Sequence, residues 1–372
     1  MKINRRNLMQ AGVAVSTACF TDLGKHACAA DRDEERAAPA GGVIPLRSAE
    51  NPYGPPPSAL EALQATMSEG NRYPRTKVAE FKKLIADDTG LTPEHVIIGA
   101  GSIELMINAG LYYGKRGGTV VSGDPTWDTT AIYAEANGAK WVKVPLTDDY
   151  HYDFERMLEA VNDDVDLVYL CHPNNPTGLA EEQGVLESFV KEVAKRTHVM
   201  IDEAFIDCLN DGEQVSMKKL VASNDNVIVS RTFSKLWGMA GFRVGYMLGN
   251  PDLLAKFEAT IPGLEMQSRL SVAAAMAAYR DQEFMRFSRQ KMRESRKIVF
   301  QILDKKGLKY IPSDCNFVAF EINEDAEIAR QKLLDRKVAL KNVSFGGRQR
   351  LRVSCGTPDE LHLFEQALSS LT

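Results

Sequence analysis

Short apolar runs rich in Val, Ile and Leu alternate with longer mixed stretches between about residues 72 and 249. Five of these runs predict β-strands, at residues 95–98, 119–121, 167–170, 199–201 and 226–229. The runs are largely apolar instead of alternating with polar residues, which is typical of strands buried on both faces. Together with the helices predicted between them, they indicate an α/β fold in which helices flank a mostly parallel mixed sheet.

A turn of small or polar residues directly follows each predicted strand. These turns lie at residues 99–102, 123–125, 172–176, 202–203 and 230–235. Ligands of open α/β sheets bind outside the carboxyl ends of the strands. We therefore expect the five turns to meet at one edge of the sheet and to form a small-molecule site there.

The pattern changes after about Pro251, where a long charged helix is predicted at residues 282–306 and short strands at 316–321 and 351–353. This arrangement is typical of a smaller α+β domain. We predict a large domain and a small domain, with an N-terminal segment that joins the small domain. Their bounds are 72–255 for the large domain, 256–372 for the small domain and 47–71 for the segment.

The first residues have the pattern of an export signal. Arg5 and Arg6 precede a modestly apolar run at residues 11–20, and Ala27-Cys28-Ala29 matches a cleavage site. The run is about half of the ~20 residues that a membrane-spanning helix needs, so a removed signal is favoured over a retained anchor. We predict a twin-arginine signal at 1–29, a polar linker at 30–46, and a periplasmic or secreted protein without a membrane anchor. The alternative is a cytosolic N-terminus that contains Arg-Arg by chance.

Composition narrows the classes of partner. The 372 residues are 44% hydrophobic and 26% charged, which suits a globular protein with a large core. A formal net charge of -5 provides no basic field for nucleic acid or an anionic membrane surface. Four cysteines follow the predicted signal without CxxC spacing, so a zinc site is not expected and no disulfide pairing is indicated. They are Cys171, Cys208, Cys315 and Cys355.

Lys235 ends the turn after the last predicted strand and is followed by a glycine-rich segment. A buried lysine with a lowered pKa is a nucleophile towards an aldehyde, although a lysine in such a place is commonly solvated. Thr232, Ser234 and Arg243 lie close by in sequence. With the glycine-rich turn at 99–102 opening a helix, they predict a binding site for a phosphate group. Taken alone, that turn could equally be a tight connection between strand and helix.

Three further side chains extend this chemistry. Asp202 follows an apolar run, where a carboxylate needs a cationic partner such as a protonated pyridine nitrogen, unless it caps a helix. Asn175 could donate a hydrogen bond to a ring oxygen, and Trp127 could stack on a ring face or pack in the core. The combination predicts pyridoxal 5'-phosphate (PLP), bound as a Schiff base to Lys235.

Longer motifs carry a family resemblance. The segments 175–178 (Asn-Pro-Thr-Gly), 202–205 (Asp-Glu-Ala-Phe), 232–235 (Thr-Phe-Ser-Lys) and 351–357 resemble, in order and spacing, the motif series of class I/II aminotransferases of PLP fold type I. Residues 50–55, 71–74 and 313–317 resemble the histidinol-phosphate aminotransferase branch of that family. The resemblance extends from about Arg47 to the C-terminus.

The resemblance implies roles for individual residues. Lys235 would hold the cofactor and move protons, Asp202 would pair with the pyridine nitrogen, and Trp127 would stack on the ring. Tyr73 would come from the neighbouring subunit, which implies a homodimer with a shared active site. The phosphate would be held by Ala100, Gly101, Ser102, Thr232, Ser234 and Arg243. The substrate would be bound by Tyr53, Asn175, Asn316, Lys341 and Arg352, of which Arg352 would bind the α-carboxylate.

Three positions depart from the family pattern. Phe205 replaces a tyrosine that donates to the ring oxygen, and Thr130 replaces the second aromatic residue of a Pro-Thr-Tyr-x-x-Tyr pattern. Lys341 replaces an arginine that binds the substrate phosphate in histidinol-phosphate aminotransferases. These departures weaken the expectation of histidinol phosphate as the substrate.

We therefore expect a PLP-dependent aminotransferase that acts on a free amino acid or related amine, with a keto acid as acceptor. The same site could support oxidation, decarboxylation, racemisation or cyclisation, because the fold does not determine the reaction. Turnover without a keto acid would distinguish these alternatives. A non-catalytic protein that binds PLP or an amino acid is disfavoured, because both the lysine and the carboxylate-binding arginine are present.

Overall fold

The computed structural model of the chain describes residues 42–260, 266–369 and 371, and its central feature is a seven-stranded sheet. The strand order is β1-β7-β6-β5-β4-β2-β3. Strands β2 to β6 run parallel to one another, whereas β7 is antiparallel to both β1 and β6. The strands are β1 (Val96–Gly99), β2 (Thr119–Asp124), β3 (Lys140–Pro145), β4 (Val165–Cys171), β5 (His198–Asp202), β6 (Val227–Thr232) and β7 (Gly245–Leu248).

Helices cover both faces of this sheet. In β5, Val199 and Ile201 pack in the core on one face while Met200 packs in the core on the other. Because successive side chains of a strand point to opposite faces, burial of both faces explains why the strands are apolar without interruption. The helices up to this point in the fold are α1 (Pro57–Thr66), α2 (Arg75–Thr89), α3 (Ser102–Arg116), α4 (Thr129–Ala136), α5 (Phe154–Ala160), α6 (Gln183–Val193), α7 (Gly212–Val215), α8 (Pro251–Glu258) and α9 (Arg269–Arg280).

A smaller antiparallel sheet follows in the chain, with the strand order β8-β10-β9. Asp281 accepts a hydrogen bond from the Phe284 N–H at 2.9 Å and so caps the long helix α10. Thr357 and Glu360 form a capping box at the start of α12. The remaining elements are α10 (Gln282–Lys305), β8 (Phe317–Glu321), α11 (Ala326–Asp335), β9 (Lys341–Asn342), β10 (Arg350–Ser354) and α12 (Pro358–Leu368).

The N-terminal segment enters the core of the small sheet earlier than predicted. The Ile44 N–H donates to the Lys337 carbonyl at 2.7 Å, and the Ala339 N–H donates to the Ile44 carbonyl at 3.0 Å. Ile44 and Leu46 are both buried. The predicted linker at 30–46 is thus wrong at its C-terminal end, because Ile44 and Leu46 contribute apolar side chains to a core. The predicted signal at 1–29 and the rest of the linker lie outside the described residues.

The predicted strands and the two-sheet architecture are confirmed, and the boundary at residue 255 stays a prediction. Val272 and Ala275 of α9 and Met285 of α10 pack in the core of the large sheet. Both sheets lie in one compact unit, residues 43–372. Among the described residues, no helix is long and apolar enough to cross a membrane.

Candidate active site

A cavity of about 730 Å³ lies at the carboxyl ends of the central strands, where the small sheet faces the large one. Its lining also includes Arg47, Ser48 and Glu50 of the N-terminal segment. Most of the residues predicted from the sequence line this cavity, as expected for the edge at which strand-following turns converge. They are Ser102, Trp127, Asn175, Asp202, Thr232, Ser234, Lys235, Arg243, Lys341 and Arg352.

Lys235 projects into the cavity from the turn after β6. Its ammonium Nζ donates a hydrogen bond to the Ser48 carbonyl at 2.7 Å and lies 5.4 Å from the centroid of the Phe205 ring. Burial, together with the nearby positive charge of Arg352, lowers the pKa of Lys235 to about 8. A substantial fraction of the amine is therefore neutral near pH 7 to 8, and a neutral amine can attack an aldehyde or accept a proton.

Asp202 ends β5 with its side chain buried, at 2% exposure. The Ala204 N–H donates to Oδ1 at 3.1 Å, and the Tyr169 hydroxyl donates to Oδ2 at 3.4 Å. Burial raises the pKa of Asp202 to about 7, because among the described residues no cation forms an ion pair with the carboxylate that would offset its desolvation. A protonated pyridine nitrogen would supply that cation. The helical turn that follows has Phe205 at its N-cap, so Asp202 does not act as its cap.

Hydroxyl groups and a guanidinium converge at the start of α3. The Thr232 hydroxyl donates to the Ser234 Oγ at 3.0 Å, and the Arg243 Nη1 donates to the same Ser234 oxygen at 3.3 Å. Gly101 has a φ of +79°, and a Cβ at this position would overlap the Arg243 guanidinium. Ser102 is the first residue of α3, where N–H groups have no carbonyl partner within the helix. This arrangement can hold a phosphate group.

Ala100 takes no part in this arrangement. Its N–H donates to the Glu104 carboxylate within the same loop, and Ala100 does not line the cavity. The sequence prediction that Ala100 binds phosphate is therefore not supported by the geometry, because its donor is already satisfied by a neighbouring side chain.

Arg352 lies opposite Lys235 with its side chain almost fully enclosed, at 3% exposure. Its Nη1 donates to the Asn175 Oδ1 at 2.6 Å, and its Nη2 donates to the Arg47 carbonyl at 2.9 Å. The buried Nε has no acceptor among the described residues. An unsatisfied buried donor is costly, so this guanidinium is prepared to bind an incoming anion.

Lys341 adds a second positive charge to the cavity. Its ammonium lies 5.3 Å from the centroid of the Trp127 ring, and within the described ranges it makes no hydrogen bond or ion pair. Partial burial and the charges of Arg352 and Arg47 lower the pKa of Lys341, while Asp128 opposes this change. The part of the cavity around Arg352 and Lys341 thus carries an excess of positive charge.

Besides Ala100 and Gly101, three further predicted residues do not line the cavity of their own chain: Tyr53, Tyr73 and Asn316. Tyr53 packs its ring edge against Phe287, with 5.8 Å between the centroids. Asn316 is fully buried beneath the N-terminal segment, where its Nδ2 donates to the Ala49 carbonyl at 2.9 Å. The predictions that Tyr53 and Asn316 contact substrate stay predictions, because neither residue lines the cavity in this chain. Tyr73 is 68% exposed and also lies away from the cavity.

The sequence predictions missed contacts made by the backbone. The carbonyls of Arg47 and Ser48 accept hydrogen bonds from Arg352 and Lys235, and a carbonyl leaves no trace in the side-chain pattern. The sequence predictions also missed a buried network of ion pairs next to β5. The charged residues that follow apolar runs, such as Glu203 and Arg231, could have indicated it. In that network the Arg231 guanidinium contacts the carboxylates of Glu203 at 2.9 Å and Asp207 at 3.2 Å.

Two of the departures from the family pattern are visible in the structure. Phe205 lines the cavity near Lys235 and packs its ring edge against Phe317, so it offers no hydrogen bond to a ring oxygen. Thr130 is fully buried in α4 and does not line the cavity. Asp202, Asn175 and Trp127 are the predicted ring contacts that line the cavity.

Comparisons with known proteins agree with this geometry. Residues 41–368 match the family model of aminotransferase class I and II. Histidinol-phosphate aminotransferase 2 of Pasteurella multocida (strain Pm70) is 31% identical over 330 residues, which are 88% of this chain and 90% of that protein. The histidinol-phosphate aminotransferase of Symbiobacterium thermophilum is 34% identical over 329 residues, 88% of this chain and 90% of that protein.

One similar solved structure contains the cofactor predicted from the sequence. The crystal structure of histidinol-phosphate aminotransferase from Sinorhizobium meliloti in complex with pyridoxal-5'-phosphate superimposes with a TM-score of 0.79. It is 28% identical in sequence and covers 89% of this chain and 92% of its own. The buried carboxylate of Asp202, the amine of Lys235 and the glycine-limited space beside Arg243 fit the three parts of PLP that need partners. The chain therefore belongs to the class I and II aminotransferases, in their histidinol-phosphate aminotransferase branch, and is a PLP-dependent aminotransferase.

Proposed function

We propose that this aminotransferase takes its amino group from an α-amino acid whose carboxylate binds Arg352. The observation that carries the proposal is the buried Nε of Arg352, which lacks an acceptor and lies in the same cavity as Lys235. A carboxylate can accept two parallel hydrogen bonds from a guanidinium, which fixes both its position and its orientation. Asn175 supports this geometry because it already holds the Nη1 of Arg352.

The residues around the cavity would have separate roles in the reaction. When bound, PLP supplies an aldehyde carbon and a ring that withdraws electrons from the substrate α-carbon. Asp202 would keep the pyridine nitrogen protonated, and Ser102, Ser234 and Arg243 would hold the phosphate. Lys235 would remove and return the α-proton, since a pKa of about 8 lets its amine act as both base and acid near neutral pH.

We further propose that the preferred amino acid has a second anionic group on its side chain. Lys341 and Arg47 both line the cavity, and neither side chain makes a hydrogen bond or ion pair with the described residues. Two unpaired cations beside the carboxylate-binding arginine favour a dicarboxylic amino acid. Histidinol phosphate, the substrate in the names of the relatives, carries a phosphate but no α-carboxylate.

The test is a panel of amino donors assayed with the full chain, PLP and 2-oxoglutarate. We expect the highest kcat/KM with dicarboxylic donors. Lys341→Met should lower it about tenfold for these donors, equivalent to about 1.4 kcal/mol, and leave neutral donors nearly unchanged. Lys309→Met, which alters an exposed lysine outside the cavity, is the matched control. Faster turnover of histidinol phosphate or of neutral amino acids would contradict the substrate class, and turnover without a keto acid would contradict transamination.

We propose that the enzyme is a homodimer in which Tyr73 completes the active site of the partner. Tyr73 and Met67 are both exposed, at 68% and 62%. Arg269 joins their segments, because it donates to the Tyr73 carbonyl at 3.3 Å and pairs with Glu69. Mixing Lys235→Ala and Tyr73→Ala subunits tests the proposal. Mixed dimers should regain part of the activity, because one of their two sites would contain both native residues. Absence of recovery, or a monomer in light scattering, would contradict it.

We propose that the twin arginines Arg5 and Arg6 direct export of the enzyme. This part of the chain lies outside the described residues, so the support is the sequence pattern alone. Cell fractionation should find the native chain outside the cytoplasm. The double substitution Arg5→Lys, Arg6→Lys should keep it inside, and identical distributions of the two chains would refute the proposal.

A further inference from the structure

We propose that Arg350 and Tyr150 form a positioning pair that holds strand β10 against the large sheet and thereby fixes the place at which Arg352 binds the substrate carboxylate. This inference rests on the proposed role of Arg352. Neither Arg350 nor Tyr150 lines the cavity, so the pair would act through Arg352 and not by touching the substrate.

Arg350 is held on every side although it lies outside the cavity. Its exposure is 1%, and its Nη1 donates to the Phe345 carbonyl at 2.7 Å. The Nη2 donates to the Tyr150 hydroxyl at 2.7 Å and to the Glu321 carboxylate at 3.1 Å. The guanidinium also lies over two rings, 4.3 Å from the centroid of Phe345 and 5.1 Å from that of Tyr150. An arginine so enclosed has one orientation, which makes it a rigid connection.

Tyr150 belongs to the connection between β3 and α5 of the large sheet, and its backbone is strained. Its φ of +70° lies in the left-handed region, which is unfavourable for a bulky residue. Such conformations persist where the surroundings determine them, and they cluster at functional sites. Here the Tyr150 N–H donates to the Thr147 carbonyl at 2.9 Å, and the ring packs edge-on against Phe345 with 5.8 Å between centroids. The strained backbone thus accompanies a contact that reaches from the large sheet to the small one.

The pattern of β10 connects this pair to the active site. Residues two apart in a strand face the same side, so Arg350 and Arg352 both face away from the core that contains Leu351 and Val353. Arg350 meets Tyr150, and Arg352 meets Asn175, so both arginines contact residues of the large sheet. A shift of β10 relative to that sheet would therefore move the carboxylate-binding guanidinium.

A shift of β10 would also move Lys341. Strand β9 pairs with β10 so that Lys341 lies directly across from Arg352. The connection between these strands contains Phe345, which the Arg350 guanidinium covers. The residues expected to bind PLP, such as Asp202, Lys235 and Arg243, lie in the large domain instead. Loss of the pair should therefore weaken substrate binding while leaving the affinity for PLP unchanged.

The experiment compares Tyr150→Phe, Arg350→Met and the double variant, all as PLP-loaded full chains. Tyr150→Phe removes the hydroxyl but keeps the ring and hence the packing. We expect each variant to raise the KM for a dicarboxylic amino acid about tenfold, with kcat changed less than about twofold, because binding geometry is lost while the reacting groups remain. The double variant should be no worse than Arg350→Met, since both substitutions remove the same contact. Arg348→Met, an exposed neighbour that also contacts Glu321, is the matched control.

Two binding measurements separate positioning from general damage. The dissociation constant of PLP should be the same in all variants. The affinity for an amine that lacks the α-carboxylate, followed through the absorbance of the bound cofactor, should also be unchanged. Equal weakening of the amine and the amino acid, weaker PLP binding, or the same effect in Arg348→Met would overturn the inference. If the wild-type protein showed no transamination of amino acids, the proposed function would fail, whereas the effect of the pair on amino-acid affinity could still be measured.

Discussion

Asp202→Asn should make the PLP-free protein more stable at neutral pH while it abolishes efficient catalysis. The wild-type carboxylate is buried, and in the absence of PLP no cation offsets its desolvation, so its pKa rises from 3.8 to about 7. Asparagine has nearly the same shape and cannot ionise. The substitution therefore removes the cost of a buried charge from the folded state and leaves the packing around Tyr169 and Ala204 nearly unchanged.

The sign and size of the effect follow from proton linkage. Between pH 3.8 and about pH 7 the folded protein binds the Asp202 proton more tightly than the unfolded chain does, so the free energy of unfolding falls as the pH rises. The full difference of about 3 pH units corresponds to about 4 kcal/mol. Between about pH 5 and about pH 8 the advantage of the asparagine variant should grow by about 2.5 kcal/mol.

The assay is urea unfolding of both PLP-free proteins at about pH 5 and about pH 8. Comparing the two proteins at each pH removes the contributions of groups that do not interact with Asp202. Lys235 does interact with it, because the Asp202 charge raises the pKa of Lys235, so the comparison reports the two groups together. The PLP-bound proteins provide the control. There the pyridine nitrogen should pair with Asp202, so PLP should stabilise the wild type more than the variant. If the difference in stability between the wild type and Asp202→Asn did not change with pH, Asp202 could not be the buried carboxylate that pairs with the protonated pyridine nitrogen.

Three further outcomes follow from the same geometry. Gly101→Ala should weaken PLP binding at least tenfold, measured by equilibrium dialysis, because its Cβ would displace the Arg243 guanidinium; unchanged affinity would exclude this glycine from the phosphate site. Phe205→Tyr should restore a donor to the ring oxygen and lower the pKa at which the absorbance of bound PLP changes, and an identical absorbance titration would contradict the placement of Phe205. Glu203→Gln should destabilise the fold by about 1 to 3 kcal/mol in urea unfolding, because it removes one carboxylate from the buried Arg231 guanidinium while Asp207 remains, and an unchanged stability would contradict that view.

The parts of the fold that could be predicted are those in which burial imposes a pattern. Strand β5 was predictable because Val199, Met200 and Ile201 are buried on alternating faces, which requires an apolar residue at every position. Strand β3 was missed because it lies at the sheet edge and carries exposed lysines, such as Lys140, between its apolar residues. Strand β9 has two residues, which is too short to produce a pattern.

The same limit applies to the candidate site. Lys235 and Asp202 were predictable because each follows a strand, and the topology brings strand ends together. The hydrogen bond of Lys235 to the Ser48 carbonyl joins residues 187 positions apart and involves no side chain of Ser48, so the sequence contains no sign of it. Tyr53 and Asn316 occur in family motifs, but a motif gives the residue type without its contacts. In this chain Tyr53 packs against Phe287, and Asn316 donates to the Ala49 carbonyl.

Transfer of isotopic nitrogen tests the central claim most directly. The full chain, loaded with PLP, is incubated with a ¹⁵N-labelled dicarboxylic amino acid and an unlabelled keto acid, and the products are measured by mass spectrometry. The proposed function predicts one labelled amino acid formed from the keto acid for each donor consumed, and loss of the label transfer in Lys235→Ala. When the keto acid is omitted, it predicts consumption of at most one donor per active site, because the amino group then stays on the cofactor. Release of the nitrogen as ammonia, consumption of more than one donor per active site without a keto acid, or label transfer that survives in Lys235→Ala would contradict it.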